Sequence, residues 1–211
     1  FLINQDNRII SLNVKNGSLS WDARSTSSFI KSQNNLSIAL SKDGNIIASN
    51  TSGDLIKLNS INGQIIWSLN TSGSNLLHAT DFFISSDVVI DKQQIFFSTK
   101  ETFFSFDLES GFLNWENGVS SIGTPIVDGK NIFFVTENGY FVIIDSYSGK
   151  VISSSFVLKI LKKYSKKTKI TGFIMGSGKI YSVTSNGYLI ISSASSGKVE
   201  SFIKIGKPIT S

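Results

Sequence analysis

An all-β fold, a β-propeller built from four-stranded antiparallel blades, is predicted by three features of the 211-residue sequence. A turn signature recurs five times, a tighter turn recurs ten residues upstream of each copy, and β-rich runs flank both. The signature is an Asx residue, three variable positions and a glycine, with a tryptophan four residues further on. It reads Asn13-Val-Lys-Asn-Gly17 with Trp21, Asn59-Ser-Ile-Asn-Gly63 with Trp67, and Asp107-Leu-Glu-Ser-Gly111 with Trp115. Two more copies, Asp145-Ser-Tyr-Ser-Gly149 and Ser193-Ala-Ser-Ser-Gly197, carry Ser153 and Ser201 where the tryptophan would stand. The signature glycines are 46, 48, 38 and 48 residues apart, a spacing that suits one blade per repeat.

The upstream turns are Asp6-Asn7, Ser52-Gly53, Lys100-Glu101, Asn138-Gly139 and Asn186-Gly187. Asn-Gly favours a type I′ turn, in which both central residues take positive φ. Ile132–Thr136 before such a turn and Tyr140–Ile144 after it predict the two middle strands of a blade. The Asx turn then leads into an outer strand such as Phe112–Trp115, and Thr124–Val127, before Asp128-Gly129, predicts an innermost strand.

Parsed this way, 1–211 is a single repeat array. Residues 1–25 hold the last three strands of one blade, 35–70, 85–118, 122–156 and 170–203 are complete blades, and 205–211 opens another. That opening rests on Ile205-Gly-Lys-Pro-Ile209, which repeats Ile122-Gly-Thr-Pro-Ile126. Because closing the ring removes bare terminal edges, the array is expected to continue on both sides. A five-bladed ring, completed by the last strand, is the alternative.

Each repeated residue has a structural task. Gly17, Gly63, Gly111, Gly149 and Gly197 suit a left-handed turn position, and the Asx side chains can accept hydrogen bonds from the turn backbone. Trp21, Trp67 and Trp115 suit burial between neighbouring blades, with stacking on a ligand as the other use of three large aromatics.

Composition narrows the function. No apolar run reaches the length of a membrane span, and no N-terminal signal pattern is present. The absence of cysteine excludes disulfides and thiolate metal sites and is neutral between cytoplasm and periplasm. Six lysines, at 159, 162, 163, 166, 167 and 169, more than account for the net charge of +5; the rest of the chain carries −1. Arg8 and Arg24 are the only arginines, so no basic face or arginine fork for nucleic acid is expected.

His78 stands alone beside Leu76 and Leu77, a setting for a surface or satisfied side chain more than for zinc. No calcium loop and no Gly-x-Ser-x-Gly elbow occurs, and Gly172, Gly176 and Gly178 precede a strand where a dinucleotide fingerprint precedes a helix. Catalytic residues, a metal and a cofactor are therefore not expected.

The stretch 157–169 breaks the strand pattern. Val157, Ile160, Leu161 and Tyr164 form an apolar stripe at helical spacing, with lysines on the other side. It reads either as a linker helix that tucks its stripe against the blades or as a basic amphipathic element for anionic headgroups or an acidic partner.

The Asx-x-x-x-Gly-x-x-x-Trp signature resembles the tryptophan-docking repeat of the pyrroloquinoline-quinone-type propellers. Within that superfamily the chain is most similar to the BamB family, propeller lipoproteins of the outer-membrane β-barrel assembly machinery. The likeness rests on Gly129–Lys150 and its echo at Gly178–Lys198, and on the insert Asn70–Asp87 and the lysine-rich linker, which resemble alphaproteobacterial members. The resemblance implies an eight-bladed propeller, of which this would be about five-eighths. It also implies a non-enzymatic scaffold on the periplasmic side of the outer membrane, attached only by an N-terminal lipid anchor outside this sequence. Its partner would be the periplasmic domains of the barrel-insertion protein, met through linkers that lead into innermost strands. The matching segments are Asn75–Asp87 and Lys159–Thr171, with Phe82, Phe83, Asp87, Lys162, Lys163 and Lys166 as partner-binding candidates. Phe82 and Phe83 equally suit a buried strand start. A quinoprotein dehydrogenase fragment and a generic extracytoplasmic binding or sensor propeller are the alternatives. The first would require a quinone site with an acidic metal set, an arginine and often a vicinal disulfide.

Overall fold

The computed structural model describes residues 1–4, 6–25, 36–71, 85–121, 123–161 and 168–206. These residues are almost entirely β-strand and turn. β1 (Leu2–Ile3), β2 (Arg8–Leu12) and β3 (Leu19–Arg24) form a three-stranded sheet in sequential order. Four sequential four-stranded sheets follow. The first comprises β4 (Ile38–Leu40), β5 (Asn45–Ser49), β6 (Asp54–Asn59) and β7 (Ile65–Asn70); the second comprises β8 (Val89–Asp91), β9 (Gln94–Ser98), β10 (Phe103–Asp107) and β11 (Leu113–Asn117). The third comprises β12 (Ile126–Asp128), β13 (Asn131–Val135), β14 (Tyr140–Asp145) and β15 (Val151–Phe156). The fourth comprises β16 (Ile170–Gly176), β17 (Lys179–Thr184), β18 (Tyr188–Ser193) and β19 (Val199–Lys204). Consecutive antiparallel four-stranded sheets are the blades of a β-propeller, the fold class that the repeats predict.

The chain divides into two compact units, Phe1–Lys100 with Phe106–Leu113, and Glu101–Ser105 with Asn114–Ser211. In the first, Ile9 and Ala23 pack with Ile46, Ala48, Ile56 and Leu58. In the second, Phe133, Val135, Phe141 and Ile143 pack with Ile170, Ile180, Ile190 and Ala194. Both clusters come from strand positions that alternate inward, which is why short strands of Ile, Val and Phe close a core between sheets.

The Asx turn is closed in the same way in every copy. The glycine N–H donates to the carbonyl four residues back, from Gly17 to Asn13 at 2.8 Å and from Gly149 to Asp145 at 2.9 Å. Where the first residue is Asn or Asp, its side chain also accepts from the turn, as Asp145 Oδ1 does from Ser148 N at 2.8 Å. Bonding to Ser148 holds the Asp145 carboxyl below the usual carboxylate range.

A β-bulge follows. Lys57 pairs with Trp67 but Leu58 pairs with Ile65, so Ile66 is extra and the outer strand re-aims the tryptophan. In the first unit the Trp21 ring lies on Gly63 and its Nε1–H donates to the Ser60 carbonyl at 2.9 Å. Trp67 likewise lies on Gly111 and donates to the Leu108 carbonyl at 3.3 Å. In the second unit Trp115 lies on Gly149 and donates to the Ser146 carbonyl at 3.0 Å. The acceptor is each time the residue after the Asx position.

Two sequence expectations are corrected. The turns at Asn138-Gly139 and Asn186-Gly187 are not type I′, because only the glycines take positive φ. Gly139 N–H donates instead to the Thr136 carbonyl at 2.9 Å, closing a longer turn with glycine last. A two-residue turn with positive φ at both positions occurs at Ser177-Gly178. The described start of the segment after β15 is a short 3₁₀ turn over 157–161 where the sequence predicts a helix; Tyr164, the last residue of the stripe, lies outside the described residues.

Gly149 sits at φ +69 and a Cβ on it would lie 2.5 Å from Trp115 Cδ2, whereas Gly17, at φ +70, has nothing within 4 Å. Gly17→Ala is therefore expected to cost only the backbone term, about 1 kcal/mol. Gly149→Ala must also lift the indole and is expected to cost about 3 kcal/mol or more. Paired urea denaturation curves check the difference.

Candidate partner-binding surface

The linker after β15 begins as the 3₁₀ turn. Val157, Leu158 and Leu161 are buried in the core of the second unit, Ile160 packs against that core, and Lys159 is exposed. The burial of Leu158, on the side where the sequence places no apolar stripe, accounts for the tighter winding. A three-residue turn brings 158 and 161 onto one side, which an α-helical stripe of 157, 160, 161 and 164 does not require. Leu158 covers Gly139, where a Cβ would fall 2.3 Å from its Cγ, and Val157 N–H donates to the Gly139 carbonyl at 2.9 Å.

The linker's far end is fastened by polar contacts. Lys169 Nζ lies 2.6 Å from Glu137 Oε1, and Ile170 N–H donates to the Glu137 carbonyl at 3.3 Å. Asn186 Nδ2 donates to buried Thr168 Oγ1 at 2.9 Å, and Ser185 N–H donates to the Lys169 carbonyl at 2.8 Å. Thus the two described ends of the linker are fixed to the framework, with Lys159 projecting between them in sequence.

Of the partner-binding candidates, Phe82, Phe83, Lys162, Lys163 and Lys166 lie outside the described residues, as does His78. Asp87, in the first unit, is exposed just before β8, between buried Ser86 and Val88. Val88 N–H donates to Ser37 Oγ at 2.8 Å, which holds the backbone beside Asp87 against the preceding blade.

One charged constellation escaped sequence reading. Lys57 is 1% exposed, and its Nζ lies 2.9 Å from Glu109 Oε2 and 3.7 Å from Asp43 Oδ2. Glu109 stands in the same Asx turn that receives Trp67, so an ion pair accompanies the indole at this junction. The signal was present in the repeat. Two residues before the Asx position stand Ser11, Lys57, Ser105, Ile143 and Ile191, and only one of them is charged. Asp43 accepts from Ser41 Oγ and from Asn45 Nδ2, and the Ser41 hydroxyl, Asn45 and the Lys57 ammonium lower its carboxyl to about 2.

Among the described residues no three His, Cys, Asp or Glu side chains converge as metal ligands, and no helix is long and apolar enough to cross a membrane.

Tryptophan-docked blades with these turns define a propeller of the quinone-type repeat class. The sequence profile of the family described as outer membrane protein assembly factor BamB matches residues 1–155, and the chain belongs to that family. No curated protein sequence matches the chain. BamB from Moraxella catarrhalis has the same fold, with a TM-score of 0.68 and 16% identity over 95% of this chain and 56% of that one. Quinohemoprotein alcohol dehydrogenase from Comamonas testosteroni superposes with a TM-score of 0.71 and 12% identity over 96% of this chain and 41% of that one. The computationally designed Ika8 protein gives a TM-score of 0.68 and 11% identity over 97% and 58%. The chain thus spans about half the length of these structures.

Two outcomes follow for the charged cluster. Glu109→Ala removes the nearest carboxylate from the buried Lys57 ammonium, leaving Asp43 at 3.7 Å, and is expected to cost about 1–3 kcal/mol. Lys57→Ile, the residue type of two other repeats, is expected to be nearly neutral, as chemical denaturation of both variants would record. The pH dependence has a definite sign. The folded Asp43 carboxyl titrates below its unfolded value, so its contribution is complete above about pH 4 and is lost as the pH falls through about 2. The denaturation midpoints of wild type and Asp43→Asn are expected to differ at pH 6 and converge toward pH 2.

Proposed function

We propose that this chain is part of a non-enzymatic scaffold that serves outer-membrane β-barrel assembly from the periplasmic side, held to the membrane by a lipid anchor outside this sequence. The observation that carries the reading is membership of the BamB family over residues 1–155. The geometry supplies a means. The described ends of both linkers are fastened to the blades, so affinity arises from linker side chains without chemistry at the site. The partner-facing segments are Asn75–Asp87 and Lys159–Thr171. Exposed Asp87 and Lys159 supply polar contacts at their described ends, while buried Val157, Leu158 and Leu161 anchor the second segment. Phe82, Phe83, Lys162, Lys163 and Lys166 are assigned to the same contact. The lysines suit an acidic partner surface, the periplasmic domains of the barrel-insertion protein.

Charge reversal at Lys162 and Lys163 is expected to weaken binding to those domains about tenfold or more while thermal stability stays unchanged. A direct binding titration reads this, and unaltered affinity in a normally folded variant would refute the assignment. Dye-linked alcohol oxidation by the full-length protein supplied with quinone would instead establish the dehydrogenase reading.

A further inference from the structure

We infer that the junction between sheets β12–β15 and β16–β19 is a hinge seam, closed by the linker instead of by a docked tryptophan, and is the first blade contact of the second unit to open. The inference holds whether or not the linker binds a partner.

Two junctions in the second unit can be compared directly. Where β10 and β11 meet the β12–β15 sheet, Trp115 lies on Gly149 and bonds the Ser146 carbonyl. Phe103 stacks between Trp115 and Phe134, with ring centroids 5.9 Å and 5.0 Å away. Phe134 and Ile144, both fully buried, share one face of that sheet.

At the next junction each of these parts is absent or replaced. The tryptophan position is Ser153, and Gly197 is met instead by Ser155 and Phe141. The indole hydrogen bond is replaced by a long one, from Ser155 Oγ to the Ser196 carbonyl at 3.4 Å. The residues one repeat after Phe134 and Ile144 are Ser182 and Ser192. Both are 1% exposed, and neither hydroxyl has a hydrogen-bond partner among the described residues. They share the sheet face of Ile180 and Ile190, which packs on the β12–β15 sheet. Unpaired buried hydroxyls favour the open state, where water satisfies them.

The linker closes this junction at two places. Val157, Leu158 and Leu161 join the cluster that unites Phe133, Phe141 and Ile143 with Ile180 and Ile190. Thr168, Lys169 and Ile170 link Asn186 to Glu137. Leu158 lies over Gly139 of its own sheet and is buried in the cluster that both sheets share. Because the clasp is a connecting segment and not a sheet, loosening it opens the seam without breaking strand pairing.

The chain contains no cysteine, so single thiols report opening against a silent background. Ser182→Cys places a thiol in the seam, Ser192→Cys is a second reporter there, and Ser105→Cys places one at the tryptophan-docked junction. Labelling in native buffer is expected to be about tenfold or more faster at 182 and 192 than at 105. Leu158→Ala is expected to accelerate the two seam thiols about tenfold further and to leave position 105 unchanged. Equal rates at both junctions, acceleration of all three thiols together, or no response to Leu158→Ala would each overturn the inference.

Discussion

An indole lying on a glycine turn is the contact on which blade stacking depends. It joins two requirements that only these residue types meet together. The turn needs a left-handed residue without a side chain, and the flat surface thus exposed accepts the largest aromatic available. The indole N–H then satisfies the carbonyl one residue after the turn begins, at Ser60, Leu108 and Ser146. Burial of a large apolar area and satisfaction of a backbone acceptor occur in one placement, so neither has to be offset elsewhere. The β-bulge in the outer strand is part of the same device, since without the extra residue the tryptophan would lie on the opposite face of its strand.

The junctions built on this device are not equivalent. Trp67 is accompanied by the Lys57–Glu109 pair, Trp115 by a three-ring stack, and the last junction has no tryptophan and is held by the linker, with an exposed Lys169–Glu137 pair. A buried ion pair contributes little net stability compared with an apolar pair of similar volume. Glu109 is nevertheless the only acidic residue at its turn position, where the other copies carry Lys15, Ile61, Tyr147 and Ser195. The pair therefore distinguishes one blade contact from the others, whereas indole and glycine are common to three. Unequal junctions give a repeat array graded local stability, with its linkers as the adjustable parts.

The proposed contact lies on connections rather than on strands, and the linker after β15 illustrates the physical reason. Its described apolar residues, Val157, Leu158, Ile160 and Leu161, are used in closing the core of the second unit, while Lys159 is exposed. A segment anchored at both described ends meets a partner at a smaller entropic cost than a free one. The resemblance to quinohemoprotein dehydrogenases, at 12% identity, is a resemblance of fold, because the docking turn is a structural repeat that carries no chemistry of its own.

The sequence by itself determined the blades. Asx, glycine and tryptophan at fixed spacing, together with the alternating Ile, Val and Phe runs around them, encode turns and strands through interactions a few residues long. Such interactions leave a periodic trace. The tertiary structure alone decided the rest. The burial of Lys57 depends on Glu109, 52 residues away, and the tight winding at 157–161 depends on Leu158 finding Gly139 across a strand pair. Ser182 and Ser192 became unpaired only when the strand faces that carry them met an apolar neighbour. Coulombic pairing, side-chain fit and hydrogen-bond satisfaction are set by atoms brought together on folding, and the chain marks them at most as a departure from its repeat, as at Lys57.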